Sequence, residues 1–318
     1  MIYSRITGTG SYLPERVVTN RDLEQMVDTT DEWIRTRTGI ERRHIAAAGE
    51  TTVDLAEQAA RRALEAAGIA PADVDFIAFG TTTPDLVFPN CGTILQGRLG
   101  CVGPPAFSLE TACAGFMYAL SIADKYVRSG EAKRALVVGA ETLSRITDWS
   151  DRATAVLFAD GAGAVVLEPG DAPGILSTHL HSDGRYKDLL YCGSGVSKGF
   201  ASKLAISMAG SEVFKIAVTR LGQAVDETLA ANGLDRAALD WLVPHQANIR
   251  IIEATARRLD LPMERVIVTV QEHGNTSAAS VPLALDVAVR DGRIRRGELM
   301  LLEAFGGGFT WGSALVRY

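Results

Sequence analysis

The stretch Ser108-Leu109-Glu110-Thr111-Ala112-Cys113-Ala114-Gly115-Phe116 holds the residue best suited to covalent chemistry. A short apolar run, Pro105-Ala106-Phe107, precedes it. Phe116, Leu120, Ala123 and Val127 then recur at helical spacing, and Gly130 ends the run. Cys113 is therefore expected in the first turn of a buried helix, just after a strand. Unpaired backbone N–H groups and the positive end of the helix dipole favour a thiolate there. Ala112, Ala114 and Gly115 leave room for a substrate to approach the sulfur. The alternative is one more buried, inert cysteine. His245 stands in Val243-Pro244-His245-Gln246-Ala247-Asn248, directly after a buried strand and before a helix. The run Val266-Ile267-Val268-Thr269-Val270 reads as a strand that ends in Gln271-Glu272-His273-Gly274-Asn275-Thr276-Ser277. The strand at 299–302 ends in Glu303-Ala304-Phe305-Gly306-Gly307-Gly308-Phe309. Cys113, His245, Asn275 and a glycine turn thus each lie beyond the carboxyl end of a strand, where α/β sheets gather functional residues. Taken singly, His245 could be structural, Asn275 a turn or helix cap, and Gly306-Gly307-Gly308 only a tight turn. The glycine run lacks the Lys-Ser/Thr of a phosphate loop.

The elements that must position these residues can be followed along the chain. Residues 2–10 read as a strand running into Gly8-Thr9-Gly10. That is not a dinucleotide fingerprint, because Leu13 stands at the third glycine position and Pro14 interrupts the expected helix. The polar stretch 28–40, with Trp33, Arg35 and Arg37, reads as a surface helix and loop, or as a platform where a flat ring stacks and an anion is held. Thr51 and Thr52 open an amphipathic helix to Ala67, closed by Gly68. Strands follow at 75–80, 135–139 and 163–167, with a helix to about Arg98. The second half repeats the first. Leu64-Glu65-Ala66-Ala67-Gly68-Ile69 through Val74-Asp75-Phe76-Ile77 aligns with Leu229-Ala230-Ala231-Asn232-Gly233-Leu234 through Leu239-Asp240-Trp241-Leu242, at a constant offset of 165 residues. A helix from about Ser211 precedes the second copy. The stretch 168–174, with two prolines and two glycines, is the best linker. This predicts two α/β halves, 1–170 and 171–318, packed with a site at their seam.

Composition narrows the partners. The chain has 318 residues, 47% hydrophobic and 22% charged, with a net charge of −6. That excludes an ordinary nucleic-acid binder. Cys91, Cys101, Cys113 and Cys192 form no C-x-x-C pair, so no metal site is expected. The start, Met1-Ile2-Tyr3-Ser4-Arg5, carries no signal-peptide pattern, and no apolar run is long enough to span a membrane. A cytoplasmic protein with reduced thiols is the expectation.

Across essentially its whole length the chain resembles the β-ketoacyl-acyl carrier protein synthase III family of the thiolase-fold superfamily, which starts bacterial fatty-acid synthesis. The resemblance rests on Asp31-Glu32-Trp33-Ile34, Thr36-Arg37-Thr38-Gly39-Ile40, Glu110-Thr111-Ala112-Cys113-Ala114-Gly115-Phe116, His245-Gln246-Ala247-Asn248, Gly274-Asn275-Thr276-Ser277 and Phe305-Gly306-Gly307-Gly308-Phe309-Thr310-Trp311-Gly312. Asn275 is the discriminating residue, since elongating synthases carry a second histidine there. The resemblance implies a thiolase fold in αβαβα layers. It also implies a ping-pong condensation in which Cys113 takes an acyl group, acetyl foremost, from an acyl-CoA. The amides of Cys113 and Gly307 would form the oxyanion hole. His245 and Asn275 would donate to the thioester oxygen of malonyl-acyl carrier protein as CO2 leaves and an enolate forms. Trp33 and Arg152 would sandwich the CoA adenine, with Arg37 near its phosphates. Phe305 and Phe88 would border the acyl pocket, Phe88 reaching across a homodimer interface into the partner. Lys215, Arg250, Arg257 and Arg258 would dock the acidic carrier protein. Coenzyme A thioester is then a substrate, and no resident cofactor or metal is implied.

Arg250 and Arg257, seven apart, fall on one helical stripe, and an acidic protein needs a local positive patch to meet an acidic partner. Competing readings share the Cys-His-Asn set: 3-hydroxy-3-methylglutaryl-CoA synthase, a chalcone-synthase-like enzyme, or a starter synthase of a secondary, polyketide-type pathway. A papain-like protease lacks its local cysteine signature here. A dead carrier-protein scaffold would not need the intact Cys113, His245 and Asn275.

Overall fold

The computed structural model describes residues 2–318. Met1, part of the N-terminal stretch considered above, lies outside the described residues. The first part of the chain runs β1 (Tyr3–Tyr12), β2 (Arg16–Thr19), α1 (Asn20–Glu24), α2 (Asp31–Thr38), β3 (Arg42–Ile45), α3 (Thr52–Ala67), β4 (Phe76–Gly80), α4 (Cys91–Leu99), β5 (Ala106–Leu109), α5 (Gly115–Ser129), β6 (Ala135–Thr142), α6 (Arg152–Ala155) and β7 (Asp160–Gly170). The rest runs β8 (Ile175–Ser182), β9 (Leu190–Cys192), β10 (Ile206–Met208), α7 (Gly210–Ala231), β11 (Trp241–Pro244), α8 (Ile249–Arg258), α9 (Val270–His273), α10 (Ser280–Arg290), β12 (Leu299–Gly306) and β13 (Thr310–Arg317).

Two sheets form the frame. One has the order β1-β7-β6-β4-β5, and the other β11-β12-β13-β8. β4 lies parallel to β5 and β6, as β11 does to β12, while β6–β7, β7–β1, β12–β13 and β13–β8 are antiparallel. The chain passes from one sheet to the other across 171–174. The helices α5 and α10 lie between the sheets. Phe116, Met117, Leu120, Ala123 and Val127 of α5 join Val281, Ala284, Leu285 and Ala288 of α10 in one core, with Ala78, Val137, Met300, Leu302 and Ala314 from the strands. Burying each large side chain there stabilises the fold by about 1.5–3 kcal/mol. Helix α3 covers the outer face of the first sheet through Leu55, Ala56, Ala59, Ala60, Ala63 and Leu64. Helices α7 and α8 cover the outer face of the second. The result is the αβαβα sandwich of the thiolase fold.

Helix α3 keeps the bounds its sequence implies. Thr51 accepts from the Asp54 amide as the N-cap, and Gly68 turns left-handed (φ 69°) at the other end. The expected strand at 266–270 does not form. Val266 makes one isolated bridge to Leu242, and Val270 already begins α9. The cause is Gln246, whose side-chain oxygen accepts the amides of Thr269 (2.8 Å) and Val270 (3.1 Å) and turns the chain off the sheet edge. Among the described residues, no helix is long and apolar enough to cross a membrane.

Candidate active site

Cys113 sits in a single 3-10 turn, Ala112–Ala114, that runs straight into α5. Ala112 adopts φ 46°, a left-handed conformation uncommon outside glycine, which sharpens the bend from β5 into the helix. The turn is held against β12. A side-chain carbon at Gly306 would lie 2.5 Å from the Cys113 amide nitrogen, so only glycine lets the two backbones meet. Thr310 ties the same two segments together, donating to Thr111 O (2.9 Å) and Gly307 O (3.1 Å). The Cys113 turn and the Gly306-Gly307-Gly308 turn therefore form one unit, as a paired-amide oxyanion hole requires.

The segment 275–280 joins the remaining groups. The Asn275 side-chain oxygen accepts the Ser277 amide (3.0 Å), which leaves its NH2 free to donate. The backbone of Asn275 is pinned by Leu157 O, to which its N–H donates, and by the Ala159 N–H, both at 2.9 Å. Ser277, itself at φ 49°, stands beside the Cys113 thiol. Ser280, three residues on, lies 2.6 Å from His245 Nδ1 and accepts the Gln246 amide at 3.0 Å. When the Ser280 O–H donates to Nδ1, the ring proton sits on Nε2, free to face a substrate. His245 is placed by β11, and its amide donates to Glu303 O (2.8 Å). Cys113, His245 and Asn275 are all buried.

Burial sets their ionisation. It pushes the Cys113 thiol up to about 12, opposed by Ser277 and raised further by the Glu141 carboxylate. It drives His245 down to about 3. The expectation of a standing thiolate is thus corrected. The helix start favours negative sulfur, but desolvation outweighs it, and the resting pair is a thiol with a neutral imidazole.

The other candidate residues fall into separate groups. Trp33, half-buried on α2, has the Arg37 and Arg152 guanidinium carbons 5.0 and 4.9 Å from its ring centroid, so the three are brought together. Arg152 also donates to Asp28 O at 3.1 Å. Lys215 and Arg250 are exposed on α7 and α8, and Arg250 lies over Phe214 at 5.5 Å. Arg257 is exposed and weakly paired with Glu253 at 3.7 Å. Arg258 points elsewhere: it lies across Gly222 and pairs with Asp226 at 2.7 Å, locking α8 to α7. Phe88 is 83% exposed, with Leu86 and Val87 exposed beside it. Leu86 and Val87 line a cavity of about 740 Å³ together with Thr82, Thr83, Ile146 and Cys192. Phe305 is not on that cavity. It packs against Phe309 and Trp311 on the α7 side of β12.

Sequence reasoning missed Ser277, Ser280 and Glu141. Glu141 carried a signal, an acidic residue ending the otherwise apolar run Ala135–Ala140. The two serines carried none beyond a polar stretch before an apolar helix.

The chain is similar to known proteins along its whole length. The 3-oxoacyl-[acyl-carrier-protein (ACP)] synthase III family matches residues 107–184, and its C-terminal counterpart matches 229–318. A β-ketoacyl-[acyl-carrier-protein] synthase III of Thioalkalivibrio sulfidiphilus is 63% identical over the whole of both chains. The crystal structure of the Aquifex aeolicus 3-oxoacyl-[acyl-carrier-protein] synthase III superposes with a TM-score of 0.95 at 46% identity, covering 99% of this chain and 100% of that one. The priming β-ketosynthase of the R1128 polyketide pathway superposes at 0.94 with 40% identity, covering 99% and 96%.

Proposed function

The chain belongs to the 3-oxoacyl-[acyl-carrier-protein] synthase III family, and from that premise we propose how its own residues divide the work. The reaction is the condensation of an acyl-CoA with malonyl-acyl carrier protein, with loss of CO2, to give a 3-oxoacyl-acyl carrier protein. Full-length identity of 63% to a β-ketoacyl synthase III, against 40% to a polyketide priming enzyme, favours fatty-acid initiation.

Cys113 attacks the thioester carbon and CoA leaves. The amides of Cys113 and Gly307 stabilise the tetrahedral oxyanion, each donor worth about 3 kcal/mol. The free NH2 of Asn275 and the Nε2–H of His245 then donate to the thioester oxygen of malonyl-acyl carrier protein. Decarboxylation puts negative charge on that oxygen, and neutral donors fixed in advance stabilise it without moving a proton. The enolate attacks the acyl-cysteine and frees the sulfur. The observation that carries this reading is the close junction of the Cys113 turn with the Gly306–Gly308 turn, where a side-chain carbon on Gly306 would lie 2.5 Å from the Cys113 nitrogen and Thr310 donates to both Thr111 O and Gly307 O.

Trp33 and Arg152 take the CoA adenine, with Arg152 swinging off the indole to open the slot, and Arg37 meets the phosphates. Lys215, Arg250 and Arg257 meet the acidic carrier protein, while Arg258 serves the α7–α8 contact. Acetyl-CoA is the starter, CoA being a substrate and not a resident cofactor. The exposed Leu86-Val87-Phe88 loop supports a homodimer in which Phe88 closes the partner's acyl pocket, and four unpaired cysteines fit a reducing cytoplasm. The test is peptide mapping after incubation with acetyl-CoA alone. An acetyl group on Cys113, and on none of Cys91, Cys101 or Cys192, is expected. An adduct elsewhere, or none until carrier protein is added, would overturn the assignment.

A further inference from the structure

A resting thiol and a neutral imidazole leave one proton without a destination. Cys113 holds its proton with an affinity near 12, and His245 at about 3 is a poor acceptor for it. Behind the cysteine lies a group that can accept it. Glu141, fully buried near the end of β6, receives hydrogen bonds from Thr83 Oγ1 (2.6 Å), the Thr82 amide (3.1 Å), Thr82 Oγ1 (3.1 Å), Thr81 Oγ1 (3.2 Å) and Ser277 Oγ (3.1 Å). No lysine or arginine pairs with it among the described residues. A buried carboxylate normally demands a cation. One surrounded by hydroxyls, which can rotate as its charge changes, tolerates both protonation states. Burial moves its carboxyl upward, and the hydrogen bonds from Thr83, Thr82 and Ser277 pull it back.

We infer that Glu141, acting through the Ser277 hydroxyl, accepts the Cys113 proton during acyl transfer and returns it when the condensation frees the sulfur. Ser277 already donates to Glu141 Oε1, so its oxygen lone pairs are open to the thiol beside it. As sulfur attacks the acyl-CoA carbonyl, the S–H proton passes to Ser277 Oγ and the serine proton passes to Glu141. The S–C bond forms, the bond to CoA sulfur breaks, and the CoA thiolate takes a proton from water as it leaves. In the second half-reaction the enolate carbon attacks the acyl-cysteine. The expelled Cys113 sulfur takes its proton back from Glu141 by the same route. No free thiolate need persist in the dry site, and one proton from water is consumed per turnover, as the loss of CO2 requires. The backbone N–H of the same Ser277 fixes Asn275, so one residue serves both half-reactions through different atoms.

This rests on Cys113 being the acylated nucleophile, and the experiment separates the two claims. The measurement is the burst of CoA from acetyl-CoA between pH 5 and 10, beside CO2 release from malonyl-acyl carrier protein without acyl-CoA. Glu141→Gln keeps the shape and most of the threonine contacts. At pH 7 its burst should fall ~100-fold or more, the usual range for a lost general base. Its rate should climb about tenfold per pH unit as hydroxide replaces the base, while the wild-type rate levels off above the Glu141 titration. Ser277→Ala removes the relay but keeps the N–H to Asn275, so it should lose acylation and retain CO2 release. It also decides the matter if Glu141→Gln does not fold. A wild-type pH profile in either variant overturns the inference, and so does an equal loss of both half-reactions, which marks a structural role. A wild-type enzyme that never acetylates Cys113 overturns the underlying reading instead.

Discussion

Gly306→Ala tests the oxyanion hole without touching a functional side chain. Gly306 is buried in the last position of β12 and is not among the residues with positive φ, so alanine meets no backbone penalty there. Its new methyl carbon would lie 2.5 Å from the Cys113 nitrogen, 3.1 Å from the Ala114 nitrogen and 3.2 Å from the Ala112 methyl. All three neighbours belong to the Cys113 turn, and none is the end of a flexible side chain. Restoring ordinary contact at about 3.4 Å requires β12 and that turn to separate by about 0.9 Å. Oxyanion donors act over a window of only a few tenths of an ångström, and a misplacement of about 1 Å costs on the order of 100-fold. The expected result is a CoA burst reduced ~100-fold, or about 3 kcal/mol in the barrier, in a protein that remains folded by circular dichroism. Alkylation of Cys113 by iodoacetamide needs no oxyanion hole and should change less than tenfold. Acylation at the wild-type rate would refute the claim that the junction of these two turns builds the hole. Equal losses in acylation and alkylation would mean that the substitution merely blocks access to the sulfur.

The other expectations concern separate parts of the molecule. Asn275→Ala should lose ~100- to 1000-fold in CO2 release, as for one lost donor to a developing oxyanion, while keeping much of the acyl transfer; the reverse pattern would place Asn275 with the cysteine. Arg250→Glu should raise KM for malonyl-acyl carrier protein and leave the CoA burst unchanged, with an effect that shrinks in salt as exposed charges are screened over about 8–10 Å; damage to both steps would put Arg250 in the CoA channel. Glu303 is fully buried, and burial pushes it up from 4.5 to about 8 against the opposing pull of the Thr255 hydroxyl. Between those values the folded chain holds a proton that the unfolded chain has lost, so this residue makes stability fall as pH rises through that window, by up to ~5 kcal/mol. Glu303→Gln should therefore raise the melting temperature at pH 8 and leave it nearly unchanged at pH 4.5, and equal effects at both would refute the assignment.

What was legible in the sequence was whatever depends on near neighbours. Helix α3 was readable to the residue because its apolar spacing, its Thr51 cap and its Gly68 stop all lie within one stretch. The duplication was readable because helix, turn and strand recur in order, and the two sheets now repeat the same neighbour relations, with β4 beside β6 as β11 is beside β12. The run 266–270 misled for the complementary reason. Its β-branched composition favours a strand, yet the amides of Thr269 and Val270 are claimed by Gln246, 23 and 24 residues away. The same distance effect governs the site. The place of Cys113 at a helix start was local and legible. Its ionisation was not, because the burial that lifts it and the Ser277 and Glu141 groups that modulate it come from other segments. The tautomer of His245 likewise depends on Ser280, 35 residues on. Residue types at strand ends can therefore nominate the participants in a reaction, but the direction of proton flow is set by contacts between segments that only the folded chain brings together. That is why the sequence could propose a thiolate waiting for its substrate, while the folded site demands a thiol whose proton must leave as the substrate arrives.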